Sequence, residues 1–212
     1  RTAAGRNTLR IAILSMLEQA GEGLPFPRAY LRVGGVTLAR HQLSLALAME
    51  CQRGICVAPG ISGELINLQH DTEAAGAQFH VARDCRALAA LVTATDDLLV
   101  LSDGLFANVD QAMRMLGSGH LVLAQPAEAG LAAGFERIDI NRATAGAIRM
   151  PGQLIDGLAE LSVDCDPVSA LTRIALQAGI AVREVPPEVR NGVHWRLIRT
   201  DAEAQQQEEA LI

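Results

Sequence analysis

Asp103 has the position and the chemistry of a metal-binding residue. It follows the apolar segment Asp97–Leu101, which predicts a strand buried on both faces of a sheet. Ligands of open α/β sheets bind beyond the carboxyl ends of the strands, so a carboxylate here could hold Mg²⁺ bound to phosphates. Asp-Gly is also a common turn that needs no ligand, and Asp103-Gly104 fits that description too. The residues alone leave both interpretations open.

The segment after the first predicted strand, 10–14, is the second place where we expect chemistry. It contains Gly21 and Gly23, whose backbone N–H groups could bind a phosphate. It ends at Arg28, which we expect to be exposed and whose guanidinium could bind a phosphate bidentately. The segment has neither a G-x-G-x-x-G nor a G-K-[ST] sequence, so an ordinary flexible loop is the alternative.

Other types of site are not indicated. No G-x-S-x-G sequence predicts a hydrolase. His41, on the apolar face of a predicted helix, and His80 and His120, in predicted strands, are expected to be structural. The cysteines form no C-x-x-C pair, which argues against a zinc site. We predict that all of them are reduced, unpaired thiols: Cys51, Cys56, Cys85 and Cys165.

Composition excludes several classes of protein. The chain has 212 residues, of which 50% are hydrophobic, so it can form a sizeable core and is not disordered. A net charge of −6 and only 3% aromatic residues argue against nucleic-acid binding. The basic residues are all arginines, so no lysine can form a Schiff base. No apolar stretch approaches the ~20 residues of a membrane span and no signal peptide is visible, so we expect a cytoplasmic protein.

Predicted strands and helices alternate up to about residue 125. The strands are expected at 10–14, 54–58, 78–82, 97–101 and 120–124, with helices between them. After that point extended segments are expected at 134–140 and 145–150, helices at 152–160 and 167–177, and a last strand at 180–185. We predict a single α/β domain over residues 1–212, with three layers and helices on both faces of a mostly parallel or mixed sheet.

Four segments, spread over nearly the whole chain, match motifs of one protein family. Residues 27–38 read PRAYLRVGGVTL, followed by HQL at 41–43. They resemble the P-K-x-L-x-x-V-G-G-x-P-L motif and x-Q-L helix of the GT-A-type nucleotidyltransferases, which make nucleotide-activated sugars or molybdenum cofactor dinucleotides. Three later segments keep the order of that family. LLVLSDG at 98–104 looks like its metal-aspartate strand, TAGAIRM at 144–150 like its N-A-G-x-Y-x-F strand, and 195–212 like its closing W-x-D-V-D-T-x-E-D segment.

This resemblance implies a nucleotide-diphospho-sugar transferase-like fold and a defined reaction. A substrate phosphate would attack the α-phosphorus of a metal-bound nucleoside triphosphate and release pyrophosphate. Asp103 would hold Mg²⁺ and Arg28 would steady phosphates, while Ser15, Gly21 and Gly23 would lie in the nucleotide-binding loop. The PRAYLRVGG and FERID stretches look most like the inositol-phosphate-type cytidylyltransferase domains that accompany CDP-alcohol phosphatidyltransferases. The implied substrates are therefore CTP and a polyol or sugar phosphate.

Departures from the family motifs support a different hypothesis. The family's nucleotide-binding loop has the sequence L-A-G-G-x-G-x-R, whereas the corresponding residues here are ILSMLE, with Glu18 where a triphosphate would bind. The family's second metal aspartate falls at Leu197 or Arg199. The alternative is a catalytically silent binding or regulatory module, with a membrane-bound lipid-synthesis enzyme as partner. A purely structural oligomerisation domain is a third hypothesis, and a homodimer is a possible assembly, so whether the chain is an enzyme stays open at this point.

Overall fold

A seven-stranded sheet organises the computed structural model, which describes residues 8–21 and 26–212. The strands are β1 Arg10–Ser15, β2 Arg32–Val33, β3 Val36–Thr37, β4 Arg53–Val57, β5 Gln78–Ala82, β6 Asp97–Leu101, β7 Leu105–Ala107, β8 Leu121–Pro126, β9 Arg142–Pro151, β10 Val182–Glu184 and β11 Trp195–Leu197. The main sheet has the order β10-β8-β9-β6-β1-β4-β5. Short antiparallel pairs form between β2 and β3 and between β7 and β11.

The strand pairing confirms a mostly parallel sheet, but the mixed pairing lies inside the sheet and not at its edge, where we expected it. β1 is parallel to β4 and β6, β4 to β5, and β8 to β10. β9 alone of these strands is inserted antiparallel, between β6 and β8. The predicted central strand is therefore β6, where Val100 lies opposite Ile13 on one side and Ile148 on the other. The parallel strands β1 and β6 end side by side, which brings the two predicted site segments to one sheet edge.

Helices cover both faces of the sheet, as predicted. They are α1 Leu38–Ala48, α2 Gly63–Ala74, α3 Cys85–Ala90, α4 Val109–Leu116, α5 Ala127–Ala132, α6 Pro167–Gln177, α7 Pro187–Arg190 and α8 Asp201–Ala210. One face packs on α1, α2 and α4, and the other on α3, α6 and the 3-10 helix Gly152–Glu160. Strand residues alternate between the two cores, because successive side chains point to opposite faces. In the described ranges, none of the helices is long and apolar enough to span a membrane.

Most element starts lie where the sequence places them. Thr37 and Asp166 cap α1 and α6, because each accepts a hydrogen bond from the N–H group three residues later, at 3.1 and 3.0 Å. One prediction after residue 125 was wrong: segment 134–140 is irregular apart from one bridge. The helix predicted at 152–160 is present with those bounds, as a 3-10 helix. The short alanine-rich helix α5 was not predicted, although alanine is the best helix former.

The prediction of four free thiols was also wrong. Cys85, at the start of α3, and Cys165, just before α6, form a disulfide with their Cα atoms 6.7 Å apart. The two residues are 80 positions apart in sequence, and only the packing of α3 and α6 on the same sheet face brings them together. Cys51 and Cys56 are free and buried, as predicted.

Candidate functional site

Asp103 lies in a turn directly after β6, and Gln42 on α1 holds this turn. The side-chain Nε2 of Gln42 donates hydrogen bonds to the carbonyl oxygens of Ser102 and Leu105, both at 2.9 Å. Gln42 is 5% exposed, so these bonds lie inside the core, where their loss is costly. The result is a fixed turn that carries Asp103, itself only 6% exposed, toward the end of β1.

The Asp103 carboxylate binds the backbone of the segment that the sequence assigns to phosphate. Its Oδ2 accepts hydrogen bonds from the N–H groups of Leu17 at 2.8 Å and Glu18 at 2.7 Å. The hydroxyl of Ser15 lies 3.5 Å from the same oxygen. Neighbouring backbone N–H groups of this kind form an anion-binding concavity. Here the anion that they bind is a side chain of the protein itself.

Burial raises the pKa of the Asp103 carboxyl to about 7. The hydrogen bonds from Glu18 and Leu17 and the nearby charge of Arg28 act in the opposite direction, and the Glu18 carboxylate raises the pKa further. Oδ1 of Asp103 is buried and has no hydrogen-bond partner among the described residues. The carboxyl therefore changes its charge near neutral pH, at the centre of the candidate site.

Arg28 lies over the Asp103 turn. Its aliphatic stem passes so close to Gly104 that a side chain at position 104 would overlap Cδ of Arg28 and the carbonyl oxygen of Ile198. Gly104 also has a φ of +83°, which favours glycine. Arg28 is half-buried, so the prediction of an exposed side chain was wrong, because packing on the turn covers its stem. Its Nε is buried without a hydrogen-bond partner in the part of the chain that the structure describes.

These side chains line a cavity of about 240 Å³, which we call the acidic cavity. Four carboxylates, one guanidinium and five hydroxyls line it, and the whole lining is Ser15, Glu18, Arg28, Ser102, Asp103, Gly134, Phe135, Glu136, Thr144, Asp166, Val168, Ser169, Thr172 and Leu197. Oε2 of Glu136 accepts a hydrogen bond from the Ser169 hydroxyl at 2.5 Å, across 33 residues of sequence. Carboxylates accept hydrogen bonds from ligand hydroxyls, and a guanidinium binds phosphate.

The residues of the acidic cavity do not fit Mg²⁺. This ion requires near-octahedral oxygen coordination, and Asp103 offers one carboxylate whose Oδ2 is already bound to two N–H groups. Leu197 lines the cavity at one position of the family's second aspartate. At the other position, the Nε of Arg199 pairs with Glu203 at 3.1 Å. Within 8–21 and 26–212, no three His, Cys, Asp or Glu side chains form a group that could hold a metal ion.

The structure brings together three of the predicted site residues. Ser15, Arg28 and Asp103 all line the acidic cavity. Gly21 does not: it lines a different pocket, beside Thr200. Gly23 lies outside the described residues.

Sequence analysis missed Gln42 and the pair of Glu136 and Ser169. The x-Q-L motif contains Gln42 and was noted without a role, so the signal was present. Glu136 lies in the FERID stretch, which was also noted without a role, whereas Ser169 belongs to no motif; the packing of α6 against β8 brings the two together.

The architecture is that of the nucleotide-diphospho-sugar transferase-like nucleotidyltransferases, as the sequence resemblance implies. A protein from Bacillus anthracis assigned as glucose-1-phosphate thymidylyltransferase, crystallised with sucrose, has a TM-score of 0.64 and 13% identity, over 95% of this chain and 94% of its own. UDP-glucose pyrophosphorylase from Acinetobacter baumanii has a TM-score of 0.61 and 10% identity, over 95% of this chain and 92% of its own. A UDP-glucose pyrophosphorylase complexed with UDP-glucose has a TM-score of 0.59 and 11% identity, over 96% of this chain and 97% of its own. No family model and no curated protein sequence matches the chain. At these identities the likeness is one of fold.

Proposed function

We propose that this chain is a catalytically silent module of the nucleotidyltransferase fold that binds a phosphorylated sugar or polyol. One observation carries the proposal: the backbone N–H groups of Leu17 and Glu18 bind the Asp103 carboxylate. Those groups lie in the segment that the family resemblance assigns to the triphosphate. While Asp103 occupies them, a nucleotide cannot use them.

The charges of the acidic cavity also disfavour a triphosphate. Glu18, Asp103, Glu136 and Asp166 face one cation, Arg28, among the described lining residues. Like charges at short range cost free energy, and they cost more where water is excluded. A ligand with one phosphate and several neutral hydroxyls meets a smaller penalty, because it carries fewer negative charges. The phosphate would bind Arg28, and the hydroxyls would donate to the carboxylates.

The size and lining of the acidic cavity support the same ligand class. About 240 Å³ is below the usual range for drug-sized ligands, so it suits one sugar or polyol ring rather than a nucleotide sugar. Phe135 and Leu197 provide an apolar wall that a ring can contact. Two of the similar structures were crystallised with a sugar or a nucleotide sugar, which agrees with this class.

The finer assignments rest on the sequence resemblance alone. A preference for a phosphorylated polyol such as an inositol phosphate, a lipid-synthesis enzyme as partner, and assembly as a homodimer remain proposals. A cytoplasmic location is a further one.

Calorimetric titration with glucose 1-phosphate and inositol 1-phosphate tests the proposal. We expect binding of at least one of them in EDTA, since no metal is required. Glu136→Gln and Arg28→Gln should each weaken it about tenfold or more, the loss of a charge-assisted hydrogen bond. Glu128→Gln, an exposed carboxylate on α5, is the matched control and should have no effect. Release of pyrophosphate from a nucleoside triphosphate in the presence of either compound and Mg²⁺ would instead establish an active transferase.

A further inference from the structure

A second cavity, of about 220 Å³, lies on the other side of the wall formed by Phe135 and Leu197, which line both cavities. We call it the arginine pocket. It is bounded by α5, the α7–β11 segment and α8, and its remaining lining is Gln125, Ala129, Ala133, Arg190, Asn191, Trp195, Arg196, Arg199 and Glu203.

The charge of the arginine pocket is opposite to that of its neighbour. Three guanidiniums face one carboxylate, that of Glu203, which pairs with Arg199. Arg190 and Arg196 therefore carry an excess of two positive charges into one small cavity, in a chain whose net charge is −6. Like charges repel, so such a grouping is unfavourable unless an anion is bound.

Two arginines of the arginine pocket keep donor groups that no described residue accepts. The Nε of Arg190 is buried and has no hydrogen-bond partner among the described residues. Arg196 uses only its Nε, for a long contact of 3.3 Å to the carbonyl oxygen of Gly192, as far as the described part of the chain goes. A buried donor without a partner is costly, and a bound anion would satisfy it.

The third arginine is held in place by its surroundings. The guanidinium of Arg199 lies against Gly134, where any side chain would overlap it. Nε and Nη2 of Arg199 bind the two oxygens of Glu203 at 3.1 and 3.3 Å. Arg199 thus forms a fixed edge of the pocket, next to Arg190 and Arg196.

From this geometry we propose that the arginine pocket is a second binding site, which takes a phosphate group in contact with Arg190 and Arg196. Planar guanidiniums bind phosphate oxygens bidentately, and two of them match a tetrahedral dianion better than a monovalent carboxylate. A volume of about 220 Å³ accommodates inorganic phosphate or a small phosphate monoester. The site needs neither a metal ion nor the acidic cavity, so it stands independently of the proposed function.

Titration with inorganic phosphate, followed by calorimetry, tests this site. We expect binding that weakens as salt is added, since screening reduces charge attraction. Arg196→Gln, a change of an exposed side chain, and Arg190→Gln should each weaken it about tenfold or more. Arg114→Gln, at an exposed position on α4, is the matched control and should change nothing. A thermal unfolding scan of each variant verifies that it is folded.

The same titration separates the two cavities and the two sources of phosphate. Phosphate affinity that depends on Arg28 and not on Arg190 or Arg196 would overturn the second site, as would acetate binding as tightly as phosphate. If glucose 1-phosphate still binds the Glu136→Gln variant but no longer binds the Arg196→Gln variant, the ligand of the arginine pocket is a phosphate ester. If inorganic phosphate binds the arginine pocket and glucose 1-phosphate does not compete with it, the ligand is the inorganic ion. If sugar phosphates do not bind in the acidic cavity, the phosphate titrations of the Arg190 and Arg196 variants still test the arginine pocket.

Discussion

The backbone N–H of Glu18 lies 2.7 Å from Oδ2 of Asp103, so a carboxylate of the protein occupies the position that the sequence assigns to a phosphate. β1 and β6 are adjacent and parallel, and their carboxyl ends carry the two partners. The fold thus brings the segments that follow β1 and β6 to one sheet edge. The contact of Asp103 with the first loop changes what that edge can bind.

The raised pKa of Asp103 predicts a fall in stability as the pH rises. Between the ordinary pKa of 3.8 and about 7, the folded protein holds a proton that the unfolded chain has released, so the free energy of unfolding decreases with pH. A difference of about three pH units between the pKa values of the folded and unfolded states corresponds to a total loss of about 4 kcal/mol in the free energy of unfolding. Asp103→Asn removes this dependence.

Urea unfolding at pH 4 and pH 8 measures the effect. The wild type should lose more stability over this interval than Asp103→Asn. The control is Asp110→Asn, an exposed carboxylate on α4, which should keep the wild-type slope. Parallel slopes for the wild type and Asp103→Asn would contradict the assigned burial of this carboxyl.

Gly104→Ala should be markedly destabilising. The new Cβ would overlap the stem of Arg28 and the Ile198 carbonyl, at a φ of +83°. Gly76→Ala is a matched control, since Gly76 has a φ of +85° and open space around it. Gly76→Ala should lower the free energy of unfolding by about 1–2 kcal/mol, from the backbone conformation alone. Gly104→Ala should lower it by roughly 2 kcal/mol more, because its Cβ overlaps neighbouring atoms. Chemical denaturation of both variants measures these free energies of unfolding. Equal losses of stability would mean that Arg28 does not pack on the turn.

Gln42→Leu should weaken both folding and sugar binding, because Gln42 holds the turn of Asp103. Two buried hydrogen bonds disappear, at a cost of about 1–3 kcal/mol. Gln69→Leu, whose amide bonds Glu73 at the surface of α2, should change stability by less than about 0.5 kcal/mol. If glucose 1-phosphate bound Gln42→Leu as well as the wild type, the turn would not need this support.

The disulfide between Cys85 and Cys165 predicts two titratable thiols in unfolded, unreduced protein, from Cys51 and Cys56. Burial raises the pKa of both free thiols to about 12, so neither should react in the folded protein at pH 8. Cys165→Ser should raise the count of the unfolded protein to three. A count of four in the wild type would disprove the disulfide.

The sequence predicts the fold well because its signals are local. The strand at Asp97–Leu101, the helix at 167–177 and the regular alternation before residue 125 each depend on neighbouring residues, and all are confirmed. The antiparallel insertion of β9 inside the sheet depends on contacts between distant strands, and the looser alternation after residue 125 does not predict it.

The candidate site is harder to predict, for the same physical reason. The positions of Ser15, Arg28 and Asp103 at one edge follow from the order of the strands. That Asp103 turns its carboxylate to the N–H groups of Leu17 and Glu18 is a tertiary contact across 85 and 86 residues, which no local pattern encodes. The pairing of Cys85 with Cys165 escapes sequence analysis in the same way.

Calorimetric titration of the wild type with ribonucleoside triphosphates, with and without Mg²⁺, tests whether Asp103 holds a metal ion or closes the first loop. Asp103 occupies the N–H groups of that loop, and within 8–21 and 26–212 no three carboxylate, His or Cys side chains form a metal site. We therefore predict that Mg²⁺ does not strengthen nucleotide binding. Asp103→Asn should behave in the same way. Tight nucleotide binding that requires Mg²⁺ in the wild type and is lost in Asp103→Asn would show that Asp103 holds a metal, and would contradict the silent module.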